Sequence, residues 1–177
     1  MHPRRDRRRT LRAPCRTSVV KPKPEATRIF LGERVRIHFD VDPPCGGIIG
    51  ETMWGEKVGD RRYRLCNVPF HVLGVSWHDI VFADHVNGLL TFTGVSLRGG
   101  HSTYRVLQAR DLDPAVFRRH WEGLRQLGCW CEGGGEGLLA VDVPPDTDLR
   151  AVQVLLVAGE HARVWQFEEA HAARRLS

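Results

Sequence analysis

The chain has 177 residues, 42% of them hydrophobic, enough to build a core without disulfides or metal. No apolar run approaches the roughly 18 residues that a membrane-spanning helix needs, which excludes an integral membrane helix and makes the cytoplasm the expected location. The formal charge of +5 is unevenly placed: residues 1–28 carry ten Lys and Arg against two acids, and the rest carries 16 bases against 19 acids. The body is therefore mildly acidic, and its charge is not that of a nucleic-acid-binding fold.

Residues 1–28 are Arg-rich, contain proline and lack hydrophobic periodicity, so they are expected to be a disordered tail. The Arg4-Arg5 pair has no apolar segment behind it and so does not make an export signal. Three readings of the tail stand: a nucleic-acid or anionic-surface arm, a solvated extension, or upstream sequence translated from a misplaced start. Arg outnumbers Lys 23 to 3, as GC-rich coding produces, and this favours the last. Five cysteines at scattered spacing point to a reducing compartment.

Residues 34–41 alternate, with Val35, Ile37, Phe39 and Val41 on one side and Arg34, Arg36, His38 and Asp40 on the other, which predicts a half-wet strand. Pro43-Pro44 should end it. Strands follow over 51–57 and 61–66, a break at Asn67–Phe70, and a hairpin of strands 79–85 and 89–97 around Asn87-Gly88. Short strands closed by tight turns predict a small β-barrel-like half over residues 29–100. The stretch Ser76–Val81 resembles the approach to a strand in SH3-like barrels.

The period then changes. After a strand at 102–108, Asp113 is a helix N-cap and Pro114 suits the first helical position. Phe117, Trp121, Leu124 and Leu127 mark one helix face, and Gly128 is its stop. A strand at 129–132, a flexible turn at Gly133–Gly135, a strand at 138–143, a helix over 146–158 with Gly159 near its end, and a strand at 164–168 complete the chain before a tail at 172–177. The order strand, helix, strand, strand, helix, strand predicts a ferredoxin-like βαββαβ half over residues 101–171, and an α+β class overall. Such a sheet leaves one face needing a cover, which the N-terminal barrel, a dimer mate or a ligand could each supply, and Trp130 and Tyr104 are expected on that face.

Several motifs are similar to an uncharacterised bacterial family, domain of unknown function four-two-six-five. They are Glu51-x-x-Trp54, Asn67-x-Pro69-Phe70, Asp79-x-Val81, Gly100-His101-Ser102-Thr103-x-Arg105 and Leu127-Gly128-Cys129. The resemblance spans residues 33–170. It implies a shared fold and a soluble bacterial origin, and brings no activity with it.

The candidate binding site is Asn67, His71, Asp79, His101, Ser102 and Arg105, expected at the joint between the halves, where clefts often form. Within it His71, His101 and Arg105 are the candidates for acid–base and anion-holding roles, with none committed as catalytic. Competing with this is a purely structural role in capping turns. Cys129 and Cys131, one residue apart on a strand, lack the spacing and the second pair of a zinc site, so no metal is expected. Gly133–Gly137 joins two strands, has no phosphate-binding helix behind it, and gives no ground for a nucleotide cofactor. The strand Leu138–Val143 lacks the aromatics that sheet-face RNA binding requires. The expected function is a non-catalytic ligand- or protein-binding, regulatory module, with a protein partner or homodimer through the bare sheet face. The alternative is a small metal-independent hydrolase or phosphate-processing enzyme, and a third reading is nucleic-acid association through the tail alone.

Overall fold

The computed structural model describes residues 33–45 and 47–173. The Arg-rich tail at 1–28, with the roles expected of it, lies outside the described residues. Eleven strands and helices follow in chain order. β1 (Arg34–Cys45), β2 (Ile48–Gly59), β3 (Arg62–Leu65), β4 (Ile80–Val86) and β5 (Leu89–Leu97) form a closed barrel in that order. β6 (Ser102–Gln108), α1 (Pro114–Gln126), β7 (Trp130–Gly135), β8 (Leu138–Val143), α2 (Leu149–His161) and β9 (Trp165–His171) form a four-stranded sheet of order β7-β8-β6-β9 with two helices. Every neighbouring pair in that sheet is antiparallel.

The alternation in β1 does what its pattern implies. Ile37, Phe39 and Val41 enter the barrel core with Met53, Tyr63, Leu65, Val81 and Ala83, and the Phe39 ring stacks on Phe92 at 4.7 Å between centroids. β1 runs on past Pro43-Pro44 to Cys45, and its register with β2 shifts between Asp40 and Cys45. A bulge tolerates residues that have no N–H to give to the ladder, so the strand runs on through the proline pair instead of ending at it. β1 and β5 close the barrel through a single parallel pair, His38 and Thr91.

In the second half Asp113 caps α1, its carboxylate accepting the Ala115 N–H at 2.8 Å, with Pro114 in the first turn. Phe117, Trp121 and Leu124 pack with Val152 and Leu156 of α2 on Tyr104, Val106, Cys131, Val141 and Val143. Both helices thus lie on one side of the sheet. Burying such side chains contributes about 1.5–3 kcal/mol each. Cys129 and Cys131 sit in this core, and burial pushes both thiols up to about 12, which makes them poor nucleophiles at neutral pH.

Three expectations change. α2 begins at Leu149, where the Asp148 carboxylate accepts the N–H groups of Arg150 and Ala151; Pro144–Thr147 form a turn before it. Gly133–Gly135 belong to β7, and the turn falls at Glu136-Gly137, both with positive φ. Gly159 lies inside α2: a Cβ there would stand within the buried indole of Trp165, whose Nε1 donates to Leu156 O at 2.9 Å. Among the described residues no helix is long and apolar enough to cross a membrane.

Candidate functional site

Successive side chains of a strand point to opposite faces. Tyr104 shares its row with Val141 and Cys131, all in the helix-side core, whereas Thr103 shares a row with Asp142 and Trp130. Tyr104 therefore lies on the helix side, not on the face opposite with Trp130 as expected. Thr103, Arg105, Ala140, Asp142, Trp130 and Glu132 make up that opposite face, and it is far from bare. Thr103, Ala140 and Asp142 are fully buried.

The cover is the segment between β3 and β4, residues 66–79. It leaves the barrel, crosses the sheet and returns. Val68 N–H donates to Glu132 Oε1 at 3.2 Å, and Gly74 N–H to Ala170 O at 3.1 Å. Ser76 and Thr103, both fully buried, share a hydroxyl hydrogen bond of 2.8 Å. Arg105 Nη1 donates to His71 O at 3.2 Å and Phe70 O at 3.4 Å, while its Nε lies 2.9 Å from Glu168 Oε1 as an ion pair not aligned as a hydrogen bond.

The barrel grips the same segment from the other side. One Glu51 carboxylate accepts the N–H groups of Phe70, His71 and Val72 at 2.8, 2.8 and 3.0 Å. Asn67 Oδ1 accepts Trp54 N–H at 2.8 Å. Asp79, fully buried, accepts Gly99 N–H at 2.7 Å, Arg98 Nη1 at 2.9 Å and Ser76 N–H at 3.1 Å. Gly99 is fixed by this closeness: a Cβ there would fall 2.6 Å from the His78 carbonyl carbon. Proline at 69 and the irregular path free this segment from any ladder, so side-chain acceptors hold it instead.

His101 enters from the start of β6. Its Nδ1 lies 2.8 Å from Asp142 Oδ1, and the Asp142 side chain is only 1% exposed. The His101 ring meets Trp77 at 5.6 Å and His78 at 5.1 Å, and Trp77 meets His78 at 4.4 Å and Trp130 at 5.5 Å. His78 holds a left-handed backbone, φ 66°, a conformation that side-chain-bearing residues seldom adopt. The indole N–H groups of Trp77 and Trp130 are buried and make no hydrogen bond with the described residues. Four rings from two elements and the segment thus meet beside a buried carboxylate, with two N–H donors unspent.

Of the six candidates, Asp79, His101 and Arg105 do face this joint. Asn67 serves the barrel side through Trp54. His71 contributes its main chain to both Glu51 and Arg105, and its ring lies 6.5 Å from that of Phe70. Ser102 points to the other face of β6, where its Oγ accepts the Ala173 N–H at 3.0 Å. Trp77, His78 and Asp142 stand at the joint beside these six candidates. Asp142 had a visible signal, a single acid in the apolar run Leu138–Val143. Among the described residues no three His, Cys, Asp or Glu side chains gather as metal ligands.

Glu132 sets a pH dependence. Burial pushes its carboxyl up; the Val68 N–H opposes the rise, and Asp142 and Glu51 add to it. A carboxyl whose folded pKa exceeds its unfolded one favours the fold in acid, and that gain is lost as pH rises through the folded value. Glu132→Gln keeps an acceptor for Val68 and removes the buried charge. It is expected to raise the melting temperature at pH 7, and the difference should shrink toward zero as pH falls below the ordinary carboxylate range. A difference that grows in acid would show the opposite sign.

No curated protein matches this chain. A solved structure described as that of a hypothetical protein from Neisseria gonorrhoeae shares the fold, with a TM-score of 0.66 and 16% identity over 82% of this chain and 98% of that one. A family model, a domain of unknown function named DUF4265, matches residues 51–167. That span contains Glu51, Asn67, Asp79, His101, Arg105 and Asp142, whose side chains hold the barrel, the covering segment and the sheet around the joint, and the chain belongs to the DUF4265 family.

Proposed function

We propose that the protein is a non-catalytic binding module of the bacterial cytoplasm and that its binding surface is the ring cluster of Trp77, His78, His101 and Trp130. The observation that carries this is the contrast within the joint. Glu51, Asp79 and Arg105 are engaged with main-chain groups and hold the covering segment in place, whereas the cluster keeps two indole donors that no described residue accepts and a strained His78. Half-buried aromatic groups with a few polar tips suit binding hot spots. The sheet order and the two helices on one side support a ferredoxin-like βαββαβ half meeting an SH3-like barrel at about Gly100, and the cluster lies at that meeting.

The His101–Asp142 pair favours a second reading, acid–base chemistry on an ester or phosphate. A buried carboxylate holding one imidazole nitrogen orients the other toward a substrate. Against it, Arg105 is spent on the carbonyls of Phe70 and His71 and is poorly placed as an anion clamp.

One experiment separates the readings. NMR spectra of the full chain are recorded with aromatic, carboxylate, phosphate-ester and carboxylic-ester fragments. Saturable shifts at Trp77, His78, His101 and Trp130, weakened about tenfold or more in Trp130→Ala with the fold retained, support the binding reading. Turnover of an ester that His101→Ala abolishes without lowering the melting temperature would replace it with the enzyme reading. Shifts confined to other surfaces would overturn both.

A further inference from the structure

The joint leaves the far end of the barrel unused, and a cavity lies there. A cavity of about 380 Å³ opens at that end, lined by residues from all five barrel strands. Val35, Tyr63 and Leu90 form its apolar wall and are continuous with the barrel core. Lys57, paired with Tyr63, stands at its mouth with His85 and with Glu33, the acid among the described lining residues, and Arg36 borders it from the outer side of β1. Among the described residues neither Arg36 nor Lys57 has a carboxylate partner.

This end is open for a physical reason. Small barrels normally fill their interior with side chains from every strand. Here, among the described residues, the pairing of β1 with β5 is the single bridge between His38 and Thr91, and Val35, Arg36, Leu89 and Leu90 of these two strands line the cavity. Leu89 is an apolar side chain at the lip, 54% exposed among the described residues. The volume falls at the lower end of the range that small-ligand pockets occupy, and barrel mouths are a recurrent place for them. An apolar body would displace water from Val35, Tyr63 and Leu90, while a carboxylate would meet two cations.

We propose that the barrel mouth binds a small organic acid: an apolar chain or ring seated against Val35, Tyr63 and Leu90, with its carboxylate between Arg36 and Lys57. The site is independent of the ring cluster at the joint.

Three probes of equal length and different head, octanoate, octylammonium and octanol, test it by titration into the full-length protein followed by NMR. Octanoate is expected to give saturable shifts at Tyr63, His85, Leu89 and Leu90 and to bind about tenfold or more tighter than octylammonium. The double variant Arg36→Glu, Lys57→Glu should reverse that order. Leu89→Trp, at the exposed lip where it does not touch the core packing, should weaken octanoate without changing the melting temperature by more than a degree or two. Equal affinity for all three probes in the unmodified protein would overturn the proposal, as would octanoate shifts located elsewhere or no saturable shift at all. The order among the probes decides the matter even where the double variant fails to fold.

Discussion

Asp79→Ala is expected to lower the melting temperature by about 10 °C, corresponding to about 3–4 kcal/mol. The carboxylate is fully buried and accepts three hydrogen bonds, from Gly99 N–H, Ser76 N–H and Arg98. Alanine leaves two main-chain donors without an acceptor, and an unpaired buried donor costs its full desolvation. Arg98 softens the loss, since its side chain is nearly half exposed and can turn to water. Asp79→Asn keeps one acceptor oxygen and presents N–H to a donor, so it should fall between the two. Thermal melts by circular dichroism read the series. A drop of less than 2 °C for alanine would mean that the return of the segment into β4 is held by something other than this carboxylate.

Glu51→Ala should have the next largest effect, a loss of about 2–3 kcal/mol. It deprives the consecutive N–H groups of Phe70, His71 and Val72 of their shared acceptor. Those groups are partly within reach of water, so the cost is smaller than at Asp79. The damage should be local. Hydrogen exchange is expected to accelerate at the amides of residues 70–72 while the β6 and β8 ladder stays protected. Glu51→Gln retains one carbonyl acceptor and should recover about half of the loss. Uniform exchange across both halves would show instead that Glu51 supports the whole fold.

These two residues mark where the sequence was legible and where it was not. The clean alternation of Val35, Ile37, Phe39 and Val41, the Asn87-Gly88 hairpin and the Asp113-Pro114 helix start are local signals, and each produced the element that local physics requires. The change of period after residue 100 likewise announced a sheet with two helices. The motifs placed the chain in its family, because Glu51, Asn67, Asp79 and the Gly100–Arg105 run are side chains with fixed main-chain partners far along the chain.

What those partners are could not be read locally. Tyr104 lies on the helix side of the sheet and not beside Trp130, since alternation gives two faces and only the packing of α1 and α2 chooses between them. Gly159 stands near the end of α2 for a reason that no local pattern shows, the Trp165 indole of the next strand, which leaves no room for a Cβ. Composition, pattern and motif by themselves determined the elements, the two-part organisation and the absence of a hydrophobic span among them. Only the tertiary structure decided that residues 66–79 cover the sheet, that His101 meets Asp142 rather than His71, and that a cavity forms among the described residues at one end of the barrel. Those outcomes depend on contacts between residues tens of positions apart, where the pairing partner is set by how layers stack and not by any neighbour in the chain.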